Sequence, residues 1–129
     1  MKKLSDKFGR VHDYLKFSVT DKSNLRRSYC DQENKTHKAL RKRDMLSIDE
    51  SLRIIKIFIN DFGFKKIRFT GGEPLLKKDF LYLLEKLKEL RSNHDFITAL
   101  TTNATLLFDK LSKLKKSGVS RLNINLDTL

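Results

Sequence analysis

The chain has one cysteine, one proline, five glycines and no tryptophan in 129 residues. A lone cysteine excludes an intramolecular disulfide framework, and any site that takes two or more thiolates from this chain. No apolar run approaches the roughly 18 residues of a membrane span. The start, Met1-Lys2-Lys3-Leu4-Ser5-Asp6, lacks the apolar core of a signal peptide. The expectation is a soluble, cytoplasmic protein without a membrane partner. The length fits one domain or a piece of one, and falls short of an eight-stranded α/β barrel, which takes roughly 250 residues.

Acid is also outnumbered. Asp and Glu number 16 against 28 Lys and Arg, a net charge of +12. Such a balance suits nucleic acid or a membrane surface. The densest basic run, Lys35-Thr36-His37-Lys38-Ala39-Leu40-Arg41-Lys42-Arg43, contains no aromatic residue to stack on a base. The chain also carries no signature of a known nucleic-acid module. The run reads as a solvated loop, and nucleic acid is not the expected partner.

What is present alternates. Tyr14–Thr20 is rich in β-formers with period two and predicts a strand. Residues 21–46 are polar and irregular, a long loop for a compact domain. Ser47-Ile48-Asp49-Glu50 predicts a capping box, followed by Ile48, Leu52, Ile55, Ile59 and Phe62 at helical spacing and Gly63 as a stop. Lys66–Thr70 predicts a second strand running into Gly71-Gly72-Glu73-Pro74. A second helix starts near Asp79 and carries Leu81, Leu84, Leu87 and Leu90; Phe96–Leu100 is a third strand. Leu107, Leu111 and Leu114 mark a third helix ended by Gly118, and Arg121–Leu126 is a fourth strand.

This βα alternation predicts a parallel sheet, with functional residues at the C-terminal strand ends. Those ends are polar: Thr20-Asp21, Thr70 through Glu73, Thr101-Thr102-Asn103, and Asn123 with Asn125 and Asp127. The glycine pair suits a close backbone approach to a ligand or a positive φ. Glu73 suits an ammonium group, and the ordinary alternative is a βα turn.

Several strings occur in one order: Phe8-Gly9-Arg10, Ser18-Val19-Thr20-Asp21, Asn24-Leu25-Arg26, Tyr29-Cys30, Lys66 through Leu75, Leu100-Thr101-Thr102-Asn103, and Asn123 through Asp127. Together they resemble the radical S-adenosylmethionine superfamily and, within it, the GTP 3′,8-cyclase (MoaA) family of molybdenum cofactor biosynthesis. The resemblance covers about residues 4–129 and only the first part of such an enzyme. It implies an α/β fold, a partial TIM-type barrel with an open parallel sheet of (βα)3β. Residues 1–129 would form one partial core domain, with 1–13 an N-terminal arm and 21–46 a degenerate cluster-binding loop.

The resemblance also implies chemistry. Three cysteines spaced Cys-x-x-x-Cys-x-x-Cys bind a 4Fe–4S cluster whose open iron chelates S-adenosylmethionine. Reductive cleavage gives a 5′-deoxyadenosyl radical, which abstracts hydrogen from GTP on the way to cyclic pyranopterin. By resemblance, Tyr29, Gly72, Glu73 and Asn125 stand at S-adenosylmethionine positions, Asn125 replacing a serine. Lys16, Arg68 and Thr101 stand at GTP positions, Lys16 replacing an arginine. Ala104 replaces the glycine after Asn103, which predicts a strained or reshaped turn. At the cluster positions the chain reads Ser23, Arg27 and Cys30. Only Cys30 remains as a metal ligand, because thiolates suit such clusters whereas a neutral hydroxyl and a guanidinium do not.

The favoured expectation is a truncated relative, catalytically inactive alone. One alternative is a subunit completed by a second chain that supplies the missing half-barrel. Another is a basic module binding nucleotide or nucleic acid on the same scaffold. Cys30 reads as a leftover thiol rather than a nucleophile. An open half-barrel also predicts two unpaired sheet edges and an apolar concave face.

Overall fold

The structure, a computed structural model, describes residues 1–25 and 42–126. It opens with a small antiparallel hairpin of β1 (Leu4–Ser5) and β2 (Val11–His12). Asp6 organises the hairpin turn. Its carboxylate accepts from the backbone N–H groups of Phe8 and Arg10 and from the Arg10 Nε at 2.6 Å. Lys2 N donates to Asp61 O and fastens this arm to the body.

The body alternates β3 (Tyr14–Ser18), α1 (Ile48–Asn60), β4 (Lys66–Thr70), α2 (Phe80–Leu90), β5 (Ile97–Thr102), α3 (Leu107–Lys116) and β6 (Arg121–Ile124). Among the described residues the four longer strands form one sheet in the order β3-β4-β5-β6, every pair parallel. This is the α/β (βα)3β arrangement expected from the sequence. The edges run differently at four points: β3 stops at Ser18, β5 begins at Ile97 and reaches Thr102, and β6 stops at Ile124.

Local chemistry explains the helix ends. Ser47 N-caps α1, its Oγ accepting from Glu50 N while the Glu50 carboxylate accepts from Ser47 N at 2.7 Å. The helix ends before Phe62, so that ring belongs to the exit turn, where it packs half-buried on the core. Gly63 takes φ +66° and donates to Ile59 O, the left-handed stop that a Cβ disfavours.

All three helices lie on one face of the sheet. Phe17, Ile67, Phe69 and Leu100 from the strands meet Ile55, Ile59, Leu83, Leu84, Leu87 and Leu114 from the helices. Phe69 is the hub, with edge-to-face contacts to Phe17 at 6.2 Å and Phe80 at 5.3 Å. Phe80 and Leu83 are buried core residues that the leucine spacing alone did not single out.

The opposite face corrects the expectation of an apolar concavity. Register places Tyr14, Lys16 and Ser18 beside Lys66, Arg68 and Thr70, and continues through Ile97, Ala99 and Thr101 to Arg121 and Asn123. This face is polar and basic, and no carboxylate occupies any of these positions. The period-two alternation of each strand sends one set of side chains to the helices and the other to this open side. Both sheet edges are unpaired among the described residues, as expected: β3 and β6 each have one neighbour.

The capping box carries a pH signature. The Ser47 N–H holds the Glu50 carboxyl below its ordinary value of 4.5. A depressed carboxyl stabilises the fold above its unfolded-state pKa, and that part is lost as pH falls through the folded-state value. Wild-type stability followed by urea denaturation is therefore expected to decline below about pH 4.5 more than that of Glu50→Gln. Ser47→Ala is expected to cost about 1 kcal/mol at neutral pH.

Candidate functional site

The C-terminal ends of β3, β4 and β5 meet at the turn that carries one buried carboxylate. Glu73 follows β4 and is 1% exposed. Its Oε1 accepts from Thr102 Oγ1 at 2.7 Å and from Leu75 N at 3.2 Å, and its Oε2 accepts from Asn103 N at 2.8 Å. These donors are neutral and come from the turn after β4 and from the end of β5. The expectation of an ammonium-binding glutamate therefore meets a carboxylate that already holds the protein's own donors. Its burial costs solvation, and hydrogen bonds to an ionised acceptor offset that cost.

The preceding glycines serve the same junction. Gly72 N donates to Thr20 O at 2.8 Å and Glu73 N to Lys22 O at 2.7 Å. A Cβ on Gly72 would stand 2.0 Å from Lys22 O; one on Gly71, where φ is +142°, would stand 2.3 Å from Thr20 O. The close approach expected of these glycines is thus to the chain's own segment 20–22. Pro74 then begins a short 3-10 turn, Pro74–Leu76, that leads toward α2.

Next to it lies a polar network. Asn103 Nδ2 donates to Asn24 Oδ1, Asn24 Nδ2 donates to Thr105 Oγ1, and Thr105 donates twice to Asn103 Oδ1. Between them Ala104 has φ +65°, the only non-glycine residue with positive φ among those described. This is the strained turn expected from alanine in place of glycine.

Of the residues expected to contact GTP, the structure brings Lys16, Arg68 and Thr101 together on the open face. Lys16 pairs with Arg68 in register. Arg68 Nη1 donates to Thr101 Oγ1 at 3.1 Å, and Arg68 Nε donates to Tyr14 OH at 2.6 Å. Lys66 and Arg121 share this face, and Lys66 Nζ lies 4.8 Å from the Tyr14 ring centroid. Sequence reading passed over Tyr14, Lys66 and Arg121. The signal was there in Tyr14-x-Lys16, Lys66-x-Arg68 and Arg121-x-Asn123, polar residues at strand spacing.

Of the residues expected at S-adenosylmethionine positions, Gly72 and Glu73 form the buried junction. Asn125 lies exposed past β6, its N–H donating to Thr102 O. Tyr29 lies outside the described residues, as do Arg27, Cys30, most of the basic run and Asp127. Ser23 is described, and its Oγ donates to Leu25 O at 3.1 Å. No described helix is long and apolar enough to cross a membrane.

Residues 17–129 match the sequence profile of the Radical SAM superfamily. A GTP 3′,8-cyclase of Listeria welshimeri is 44% identical over the whole chain, which spans 38% of that protein. One from Clostridium perfringens is 40% identical over 98% of the chain, again 38% of the relative. Molybdenum cofactor biosynthesis protein 1 of Dictyostelium discoideum is 44% identical over 98% of the chain and 19% of its own length. The chain thus spans little more than a third of the bacterial relatives.

Two substitutions test the junction in the absence of any ligand. Glu73→Gln puts an amide NH2 among the donors that now face a carboxylate, and is expected to cost about 2 kcal/mol in chemical denaturation. A glutamate kept only for a ligand would leave stability unchanged. Ala104→Gly is expected to raise stability by about 1 kcal/mol, because glycine takes positive φ without the Cβ clash.

Proposed function

The chain belongs to the radical SAM superfamily, and from that premise we propose that it is a nucleotide-binding relative of the GTP 3′,8-cyclases that holds GTP by its triphosphate and performs no radical chemistry alone. The single observation that supports this reading is the open sheet face. There Lys16, Lys66, Arg68 and Arg121 gather with Thr101 and Asn123, and the face positions include no acid. Arg68 is half-buried with neutral oxygens on its Nε and Nη1. Its charge is therefore uncompensated by these contacts and suits a phosphoryl oxygen.

In the family a 4Fe–4S cluster, when bound, supplies the reductive cleavage of S-adenosylmethionine. The donor set of this chain does not fit that cluster. Three thiolates would be required, and the corresponding residues are a serine hydroxyl, a guanidinium and Cys30. The Ser23 hydroxyl acts as a donor to Leu25 O, the role of a protonated and weakly ligating group. Without the open iron, S-adenosylmethionine loses its main anchor, and Glu73 has its carboxylate turned into the protein. Nucleotide binding is the part of the family's work that these residues support.

A second reading rests on β6. Its outer edge has no neighbour among the described residues, and Leu122, Ile124 and Leu126 stand exposed along it. In that reading another chain adds the following strands and the missing thiolates, with GTP held at the same face.

Titration calorimetry with GTP, GDP and guanosine tests the first reading. Affinity is expected to fall in that order and to weaken as salt rises, and Arg68→Ala is expected to weaken GTP binding about tenfold. Equal affinity for guanosine would sink the triphosphate reading. Anaerobic reconstitution with iron and sulfide is expected to leave no protein-bound thiolate-to-iron absorbance. A stable cluster on the isolated chain would overturn the assignment of inactivity.

A further inference from the structure

We propose that Tyr14 is a positioning residue, which fixes the guanidinium of Arg68 and thereby decides which of its edges meets a phosphate. The inference rests on the nucleotide reading above and adds to it a residue that contributes no charge.

The geometry is specific. Tyr14 and Arg68 lie on adjacent parallel strands, with Tyr14 paired to Lys66 and Lys16 paired to Arg68. The Tyr14 hydroxyl accepts the Arg68 Nε–H at 2.6 Å, a short bond to a charged donor. On the other side Thr101 Oγ1, from β5, accepts from Nη1 at 3.1 Å. The guanidinium is thus held by a strand on each side of its own.

A guanidinium carries five N–H donors in one plane. Tyr14 takes the Nε–H and Thr101 takes one on Nη1, leaving the second Nη1 donor and both on Nη2. An arginine recognises oxyanions through pairs of parallel donors, either Nε with a terminal nitrogen or the two terminal nitrogens. With the Nε edge closed by Tyr14, the terminal edge is the one left for a phosphoryl group. Tyr14 also places its ring 4.8 Å from Lys66 Nζ. One half-exposed phenol therefore touches both cations of β4 on this face, its hydroxyl on Arg68 and its ring on Lys66.

A purely structural tyrosine would act on stability, whereas a positioning tyrosine acts on affinity through Arg68. Tyr14→Phe separates the two, since it removes the acceptor and keeps the ring over Lys66. Inorganic triphosphate is the probe, free of any contribution from a base. Tyr14→Phe is expected to lower its affinity about three- to tenfold, the effect of one charged hydrogen bond, with the melting temperature little changed. In an Arg68→Lys background, which has no Nε–H, the same substitution is expected to have no further effect.

In unliganded protein the Arg68 Nε–H resonance is expected to shift on Tyr14→Phe. An unshifted resonance, an undiminished affinity, or an equal loss in the Arg68→Lys background would each overturn the role of Tyr14 while the nucleotide reading stands. A wild-type chain that binds neither triphosphate nor GTP would overturn the nucleotide reading, and the positioning role with it.

Discussion

The fold hangs on one buried charge. Glu73 sits where β4 ends, and its carboxylate gathers the end of β5 through Thr102 and Asn103 while closing its own turn through Leu75 N. The glycines before it let segment 20–22 run close enough for two backbone hydrogen bonds. The end of β5 is thus joined to the turn after β4 by a group that would be costly to bury unpaired, and backbone bonds tie segment 20–22 to the same turn. Specific bonds at the C-terminal rim, rather than apolar packing, set where the loops leave the sheet. Apolar packing does its work on the other side, around Phe69 and the three helices.

That division accounts for what the sequence reveals and what it conceals. Helix α1 was legible almost to its ends, because the Ser47 and Glu50 capping box and Gly63 are local signals whose chemistry needs no tertiary partner. The parallel strands followed from βα alternation. The family resemblance was legible from ordered strings, and it located Lys16, Arg68 and Thr101, which the fold brings onto one face. The role of Glu73 was not legible. A Gly-Gly-Glu-Pro string looks the same whether its carboxylate meets a ligand or Thr102, because the partner lies 29 residues away. The character of the open face was misjudged for another reason. Half-barrels are pictured with an apolar interior, yet the alternation within Tyr14-Leu15-Lys16-Phe17-Ser18 already assigned one polar side and one apolar side.

The helix-side core and the open face draw on different residues of the sheet. Ser23 is exposed and lies outside the helix-side cluster of buried side chains, so a change at that position leaves the core packing intact. The basic face is held by strand register and by the bonds among Tyr14, Arg68 and Thr101. In the proposed reading, absent radical chemistry and a retained nucleotide surface therefore draw on different residues of the chain.

Like charges on one face repel, and the sheet brings Lys16 beside Arg68 in fixed register, with Lys66 and Arg121 on the same face. Water and salt screen most of this repulsion on an open surface. What they do not relieve is the partial burial of Arg68, whose Nε and Nη1 bonds go to neutral oxygens and bring it no countercharge. A protein that only needed a soluble sheet face could place a carboxylate at Ser18, Thr70 or Thr101, and this one does not. In the proposed nucleotide reading the ligand supplies the countercharge that these positions lack. An anion that spans Lys16 and Arg68 removes the repulsion and satisfies the open terminal donors at once. On that reading the electrostatic cost of the unliganded face becomes binding energy for a polyanion.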